Sequence, residues 1–150
     1  MVSEPLPPNG LEGWPPERCL LWDTGEPYLY LRITDDRRAL IGGYDEPFVG
    51  ARARDRKLPA KAAALQRRFR QLFPRIAFEP AMAWTGTFAV TADGLPFFGQ
   101  HPEVPRAWFA LGFGGNGITF SMIAAEIIRT ALLGDADPDA DLFGFDRAIV

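Results

Sequence analysis

The sequence predicts an α+β fold, a mostly antiparallel sheet carrying two main helices. Three observations predict it. Leu29, Leu31 and Ile33 alternate with Tyr28, Tyr30 and Arg32, the two-residue period of a strand with unlike faces. Leu65, Phe69, Leu72 and Phe73 recur at helical spacing, and ITFSMIAAEIIRTALL is a second long helical stretch. The order strands, helix, strands, helix lacks the regular strand–helix alternation of a parallel sheet.

The elements follow in order. Residues 1–17 hold five prolines and read as an extended, poorly structured lead-in. Arg18 to Trp22 reads as a first strand and PYLYLRIT as a second, with Asp35-Asp36 as the turn and ALIGGY as the return. DEPFVGARARDRK reads as a charged loop. Pro59 fits the first turn of a helix, where its missing N–H is surplus, and Pro74 stops that helix. Lys61, Arg67, Arg68 and Arg70 belong to its solvated face. Ile76 to Thr91 reads as extended, with Asp93-Gly94 as a turn. AWFALGF reads as a last buried strand, GGNG as a glycine turn, and ITFSMIAAEIIRTALL as a helix closed by Gly134. The domain reading is a lead-in over residues 1–17 and one unit over 18–150.

The last helix is unusual. Thr119, Glu126, Arg129 and Thr130 make its only polar stripe, and the other positions are apolar or small. Such a helix wants burial on more than one side. A chain of 150 residues covers one side comfortably. The sequence therefore points to a neighbour, either a second domain or a subunit, with self-association through residues 118–133 as one form.

Composition narrows the class. With 47% hydrophobic and 23% charged residues the chain is globular rather than disordered. A net charge of -3 argues against a nucleic acid or an anionic membrane as the main partner. The single Cys19 excludes an internal disulfide and a cysteine-only zinc site, and it reads as a small buried hydrophobe. His101 reads as a surface-loop histidine. Asp135, Asp137, Asp139 and Asp141 mimic a calcium loop, but Ala140 replaces its glycine and Pro138 intrudes. There is no signal-peptide pattern, and the apolar stretch from Ile118 to Leu133 is too short and too charged to span a bilayer. The expectation is a cytoplasmic protein with no metal, no nucleic acid and no membrane partner.

Gly112-Phe113-Gly114-Gly115-Asn116-Gly117 fits G-x-G-x-x-G between a strand and a helix. A dinucleotide fingerprint also needs a second parallel strand ending near an acidic residue. Here the helix runs into GDADPDADLFGF, so that reading fails. The local physics remains, because glycines admit a ligand to the backbone and a helix start favours negative charge. Gly117 is expected to need close approach and a positive φ. The residues alone leave two readings open, ligand approach or tight strand–helix packing. The face shared by Tyr28, Tyr30 and Arg32 likewise reads as the wall of a small-molecule pocket or as a solvated sheet face with cross-strand aromatic pairs.

WTGTFAVTADGLPFFG followed by WFALGFGGNGITFSMIAAEIIRTALLG resembles the C-terminal signature of the D-amino-acid-oxidase superfamily of FAD-dependent oxidoreductases. The resemblance is nearest to the gamma-glutamylputrescine oxidoreductase-like branch, whose substrate-domain hairpin WDTGEPYLYLRITDDRRALIGGYDE also resembles. It implies a substrate-domain sheet and a flavin-facing helix, with the N-terminal Rossmann FAD-binding unit absent from this sequence. It implies oxidation of a C–N bond of an amine or amino acid by hydride transfer to flavin. By position, the FAD contacts implied are Gly114, Gly115, Asn116, Gly117, Ile118 and Thr119. A helix start there would stabilise the negative charge a reduced flavin gains.

Three departures refine what the resemblance implies. Phe88 stands where glycine-oxidase-like relatives place an arginine on the substrate carboxylate, which points toward an amine. Thr119 stands where sarcosine-oxidase-like relatives carry a lysine for oxygen activation. Gly86 stands where those relatives attach flavin through cysteine, so the flavin is expected to be non-covalent. No residue is assigned as a general base, and the chain alone is expected to be inactive. Two alternatives stay open: an inactive binding or interaction module, and one subunit of a split enzyme completed by a Rossmann subunit.

Overall fold

The computed structural model describes residues 1–16 and 19–148. The chain divides into two compact units, Met1–Gly86 and Thr87–Val150.

The first unit is an antiparallel sheet of β1 (Val2–Ser3), β2 (Leu20–Trp22), β3 (Leu29–Ile33), β4 (Ala39–Gly43) and β5 (Pro80–Met82), in the order β2-β3-β4-β1-β5. Strand alternation sorts its faces. Leu29, Leu31, Ala39 and Ile41 point inward and meet Leu65 and Phe69 of α1 (Ala51–Leu72), with Ile76 and Phe78 completing the core. The β3–β4 turn begins at Asp35-Asp36 as the sequence suggests. Arg37 takes a left-handed φ of 59° after a turn closed by Arg37 N–H to Thr34 O, the three-residue hairpin with a bulge.

The lead-in is a correction. Met1, Ser3 and Leu6 are core residues rather than loose chain. Met1 N donates to Ile41 O at 2.9 Å, and Ala39 N–H donates to Ser3 Oγ at 2.9 Å. The prolines begin only at Pro5, after β1, so composition hid a strand that satisfies the backbone of β4. In the expected Arg18–Trp22 strand, Arg18 lies outside the described residues and β2 starts at Leu20. Cys19 is half-buried.

The charged loop is a second correction. α1 begins at Ala51, so Pro59 lies inside the helix rather than at its start. Arg, Ala, Lys and Leu carry enough helix propensity to continue past it. Lys57 and Lys61 both pair with Glu46, which ties these first turns to the preceding loop. Pro59 still removes the N–H that would reach Asp55 O and crowds that carbonyl. Pro59→Ala is expected to stabilise the first unit by about 2 kcal/mol, after allowing for lost rigidity in the unfolded chain. A urea midpoint that does not rise would contradict a helix running through residue 59.

From Ile76 to Thr91 only Pro80–Met82 is a strand, and residues 83–90 have no regular structure. The stretch crosses the boundary along the chain between the two units, at Gly86 and Thr87.

The second unit is a hairpin of β6 (Phe97–His101) and β7 (Val104–Leu111), then α2 (Gly117–Leu132) and a 3₁₀ turn at Ala140–Phe143. Its core is Phe98, Ala124, Ile127 and Phe143. The expected buried strand is only half-buried to exposed. α2 stops as the sequence suggests: Gly134, with φ 86°, donates to Ala131 O while Asp135 N–H donates to Thr130 O. That pair of bonds is a Schellman cap. His101 ends β6 rather than sitting in a free loop, and its ring meets Phe145 edge-on at 5.2 Å.

Candidate functional site

The glycine turn is built by two left-handed residues. Gly112 has φ 80° and Gly114 has φ 54°. A Cβ on Gly112 would stand 2.9 Å from Thr91 Cγ2, so only glycine fits there. Gly114 N–H donates to Ala89 O at 2.9 Å, pinning the turn to the segment before β6. Gly117 differs from expectation. It is the first residue of α2, its φ is not left-handed, and a Cβ there would meet nothing within 4 Å. The fold requires Gly112 and favours a glycine at Gly114 through its left-handed φ, and it does not need Gly117.

The helix start is bare. Asn116 makes no side-chain cap bond, and no acidic residue stands in the first turn of α2. Phe120 N–H already reaches Asn116 O, while the N–H groups before it have no intrahelical acceptor. These groups and the helix dipole make a positive end suited to an anionic oxygen. Asn116 and Thr119 are exposed, and Ile118 is 88% exposed. Beside the turn lies a cavity of about 310 Å³ lined by Phe88, Ala89, Ala110, Gly112, Phe113 and Gly114. Its walls are mostly apolar side chains and backbone, with Thr87 as the polar side chain among them, as a flat ring would want.

The second candidate surface is the outer face of the first sheet. Register puts Trp22, Tyr30 and Gly42 in one cross-strand row, and Leu20, Arg32, Leu40, Val2 and Met82 in the next. Tyr28 adds its ring 6.2 Å from that of Tyr30. Tyr30 lies across Gly42, where a Cβ would come 2.3 Å from ring atoms. Burial, then the Asp45 carboxylate, then Tyr28 raise the Tyr30 pKa, so its hydroxyl stays a neutral donor at ordinary pH. Tyr28, Tyr30 and Arg32 therefore do share one face. Sequence reasoning missed Trp22, Leu20 and Met82 on it. Trp22 is 78% exposed.

A larger cavity of about 410 Å³ lies between α1 and the loop at Tyr44 and Glu46. Its charges are already spent on one another. Hydrogen bonds from Lys57 and then Lys61 hold the Glu46 carboxyl at about 2, and Lys61 also bonds Tyr44 O.

Known proteins share this fold. The fold matches glycine oxidase from Geobacillus kaustophilus, a flavoprotein, with TM-score 0.60 and 26% identity over 81% of this chain and 33% of that one. Residues 1–130 match the family model for FAD dependent oxidoreductases, and the chain belongs to that family. Gamma-glutamylputrescine oxidoreductase of Escherichia coli is 32% identical over 108 residues, covering 72% of this chain and 24% of that protein. Glycine oxidase of Bacillus licheniformis is 33% identical over 72 residues, 47% of this chain and 20% of that protein. A bifunctional protein of tRNA 5-methylaminomethyl-2-thiouridine biosynthesis from Albidiferax ferrireducens is 41% identical over 63 residues, 40% of this chain and 10% of that protein. The chain thus spans between a tenth and a quarter of these curated relatives. No helix among the described residues is long and apolar enough to cross a membrane.

Proposed function

We propose that the chain is the substrate-side, flavin-contacting part of an FAD-dependent oxidoreductase that oxidises a C–N bond of an amine or amino acid. Gly114, Gly115, Asn116, Gly117, Ile118 and Thr119 would hold the pyrimidine end of the flavin ring. The outer sheet face, with Tyr28, Tyr30 and Arg32, would line the substrate's surroundings, and Trp22 would add apolar area. FAD, when bound, supplies the hydride acceptor. What the chain adds is orientation, exclusion of water by aromatic surface, and N–H groups that favour a negative oxygen near α2. Phe88 on the cavity wall offers no charge to a carboxylate, which supports an amine over an α-amino acid.

Gly117 carries the reading. A glycine that backbone and packing do not require, at an uncapped helix start, fits a position kept small for a ligand. The relatives' greater length supports activity only when a Rossmann FAD-binding unit, linked or separate, completes this part. The chain alone is expected to purify colourless and to bind FAD with Kd on the order of 100 µM or weaker. Stoichiometric yellow flavin on the chain alone would overturn that. In the completed protein Gly117→Ala is expected to strengthen α2 by up to about 1 kcal/mol yet to weaken FAD about tenfold. Unchanged FAD affinity in that variant would leave the turn a packing device only.

A further inference from the structure

One side chain closes the base of the second unit. Arg147 is 7% exposed at its side chain and lies 3.7 Å from the centroid of the Phe97 ring. Its Nε donates to Asp93 Oδ2 at 2.8 Å. Its Nη2 donates to Asp93 Oδ1 at 3.1 Å and to Leu95 O at 2.7 Å. Its Nη1 donates to Pro96 O at 2.9 Å and to Gly144 O at 3.4 Å. These bonds use every N–H a guanidinium has.

A short path of contacts leads from this clamp to the glycine turn. Leu95 N–H donates to Asp93 Oδ1 at 3.1 Å, and Thr91 Oγ1 donates to Leu95 O at 2.8 Å. The Thr91 methyl and Pro96 Cα are the atoms a Cβ on Gly112 would meet, at 2.9 and 3.9 Å. Residues 91–96 are therefore the seat of Gly112, and Arg147 grips that seat from below.

We propose that Arg147 is a positioning residue for the glycine turn, fixing the seat on which Gly112–Asn116 and the start of α2 are set. Its functional meaning rests on the proposed flavin contact; its geometry does not. Lysine is a poor substitute, since an ammonium cannot meet a carboxylate and several carbonyls arrayed in one plane. The Arg147 guanidinium, with help from the Leu95 N–H, holds the Asp93 carboxyl well below the usual carboxylate range. The grip is thus fully present above the ordinary carboxylate pKa and is lost only as the pH falls through that depressed value.

Amide hydrogen exchange on the whole chain, without flavin, tests the proposal. Arg147→Lys is expected to speed exchange about tenfold at the bonded amides of Gly114 and Asn116. The α2 amides from Ala124 to Ile127 should change by less than about twofold. Thr91→Val keeps the clamp but cuts the next link, and should give the same pattern more weakly. Equal acceleration throughout the second unit would make Arg147 a general staple, and no change at Gly114 would break the path; either result overturns the proposal. FAD titration reads the flavin contact separately, so the two ideas fail independently.

Discussion

A chain carrying Gly112→Val is expected to lose its folded second unit while the first unit stays intact. Gly112 holds φ 80°, a conformation that costs an L-residue about 1–2 kcal/mol, and more for a β-branched one. Its new Cβ would also press on Thr91 Cγ2 at 2.9 Å. Thr91 cannot swing away cheaply, because its hydroxyl is committed to Leu95 O. Overpacking of that kind adds roughly 1–3 kcal/mol. The total of roughly 2–5 kcal/mol is comparable to the whole stability expected of so small a unit. Gly117→Val, with open space and an ordinary φ, should change stability by less than about 1 kcal/mol. Limited proteolysis distinguishes the two. New cleavage should fall only after Thr87 in the Gly112 variant, and an unchanged digestion pattern would mean that the turn does not need its left-handed glycine.

That contrast also marks what the sequence could disclose. Alternation in PYLYLRIT sorted the faces of β3 correctly, and Gly134 marked the end of α2, because both signals are local. The family signature was legible as well, being carried by glycines and aromatics in order. Register is not local. Leu20, Trp22 and Met82 joined the outer face only once β2 paired with β3 and β1 with β5, which no residue spacing announces. β1 has only two residues, too few to show a period, and its burial comes from neighbours far along the chain. Pro59 misled for the opposite reason: a strong local breaker was outvoted by the helix formers on both sides of it. Within the glycine turn, composition could not say which glycines are structural. The left-handed φ of Gly112 and its contact with Thr91 separate it from Gly117.

The chain alone is expected to self-associate at micromolar concentration and to bind a hydrophobic dye. α2 gives its inner side, Ala124 and Ile127, to the core. The opposite side repeats Ile118, Met122, Leu132 and Leu133 along one stripe, with Met122 61% and Leu132 66% exposed. Leu20, Trp22 and Met82 add a second apolar face on the first unit. Burying each large aliphatic side chain gains about 1.5–3 kcal/mol, so four on one helix approach the roughly 4–15 kcal/mol that association costs in lost freedom. The balance favours reversible rather than permanent contacts. Met122→Lys combined with Leu132→Lys should abolish association seen by light scattering while leaving the melting temperature nearly unchanged, since both side chains stand in solvent. A wild-type chain that stays monomeric and binds no dye would show that these faces are tolerated as surface. Dye binding that disappears when an FAD-binding unit is supplied would identify that unit as what covers them.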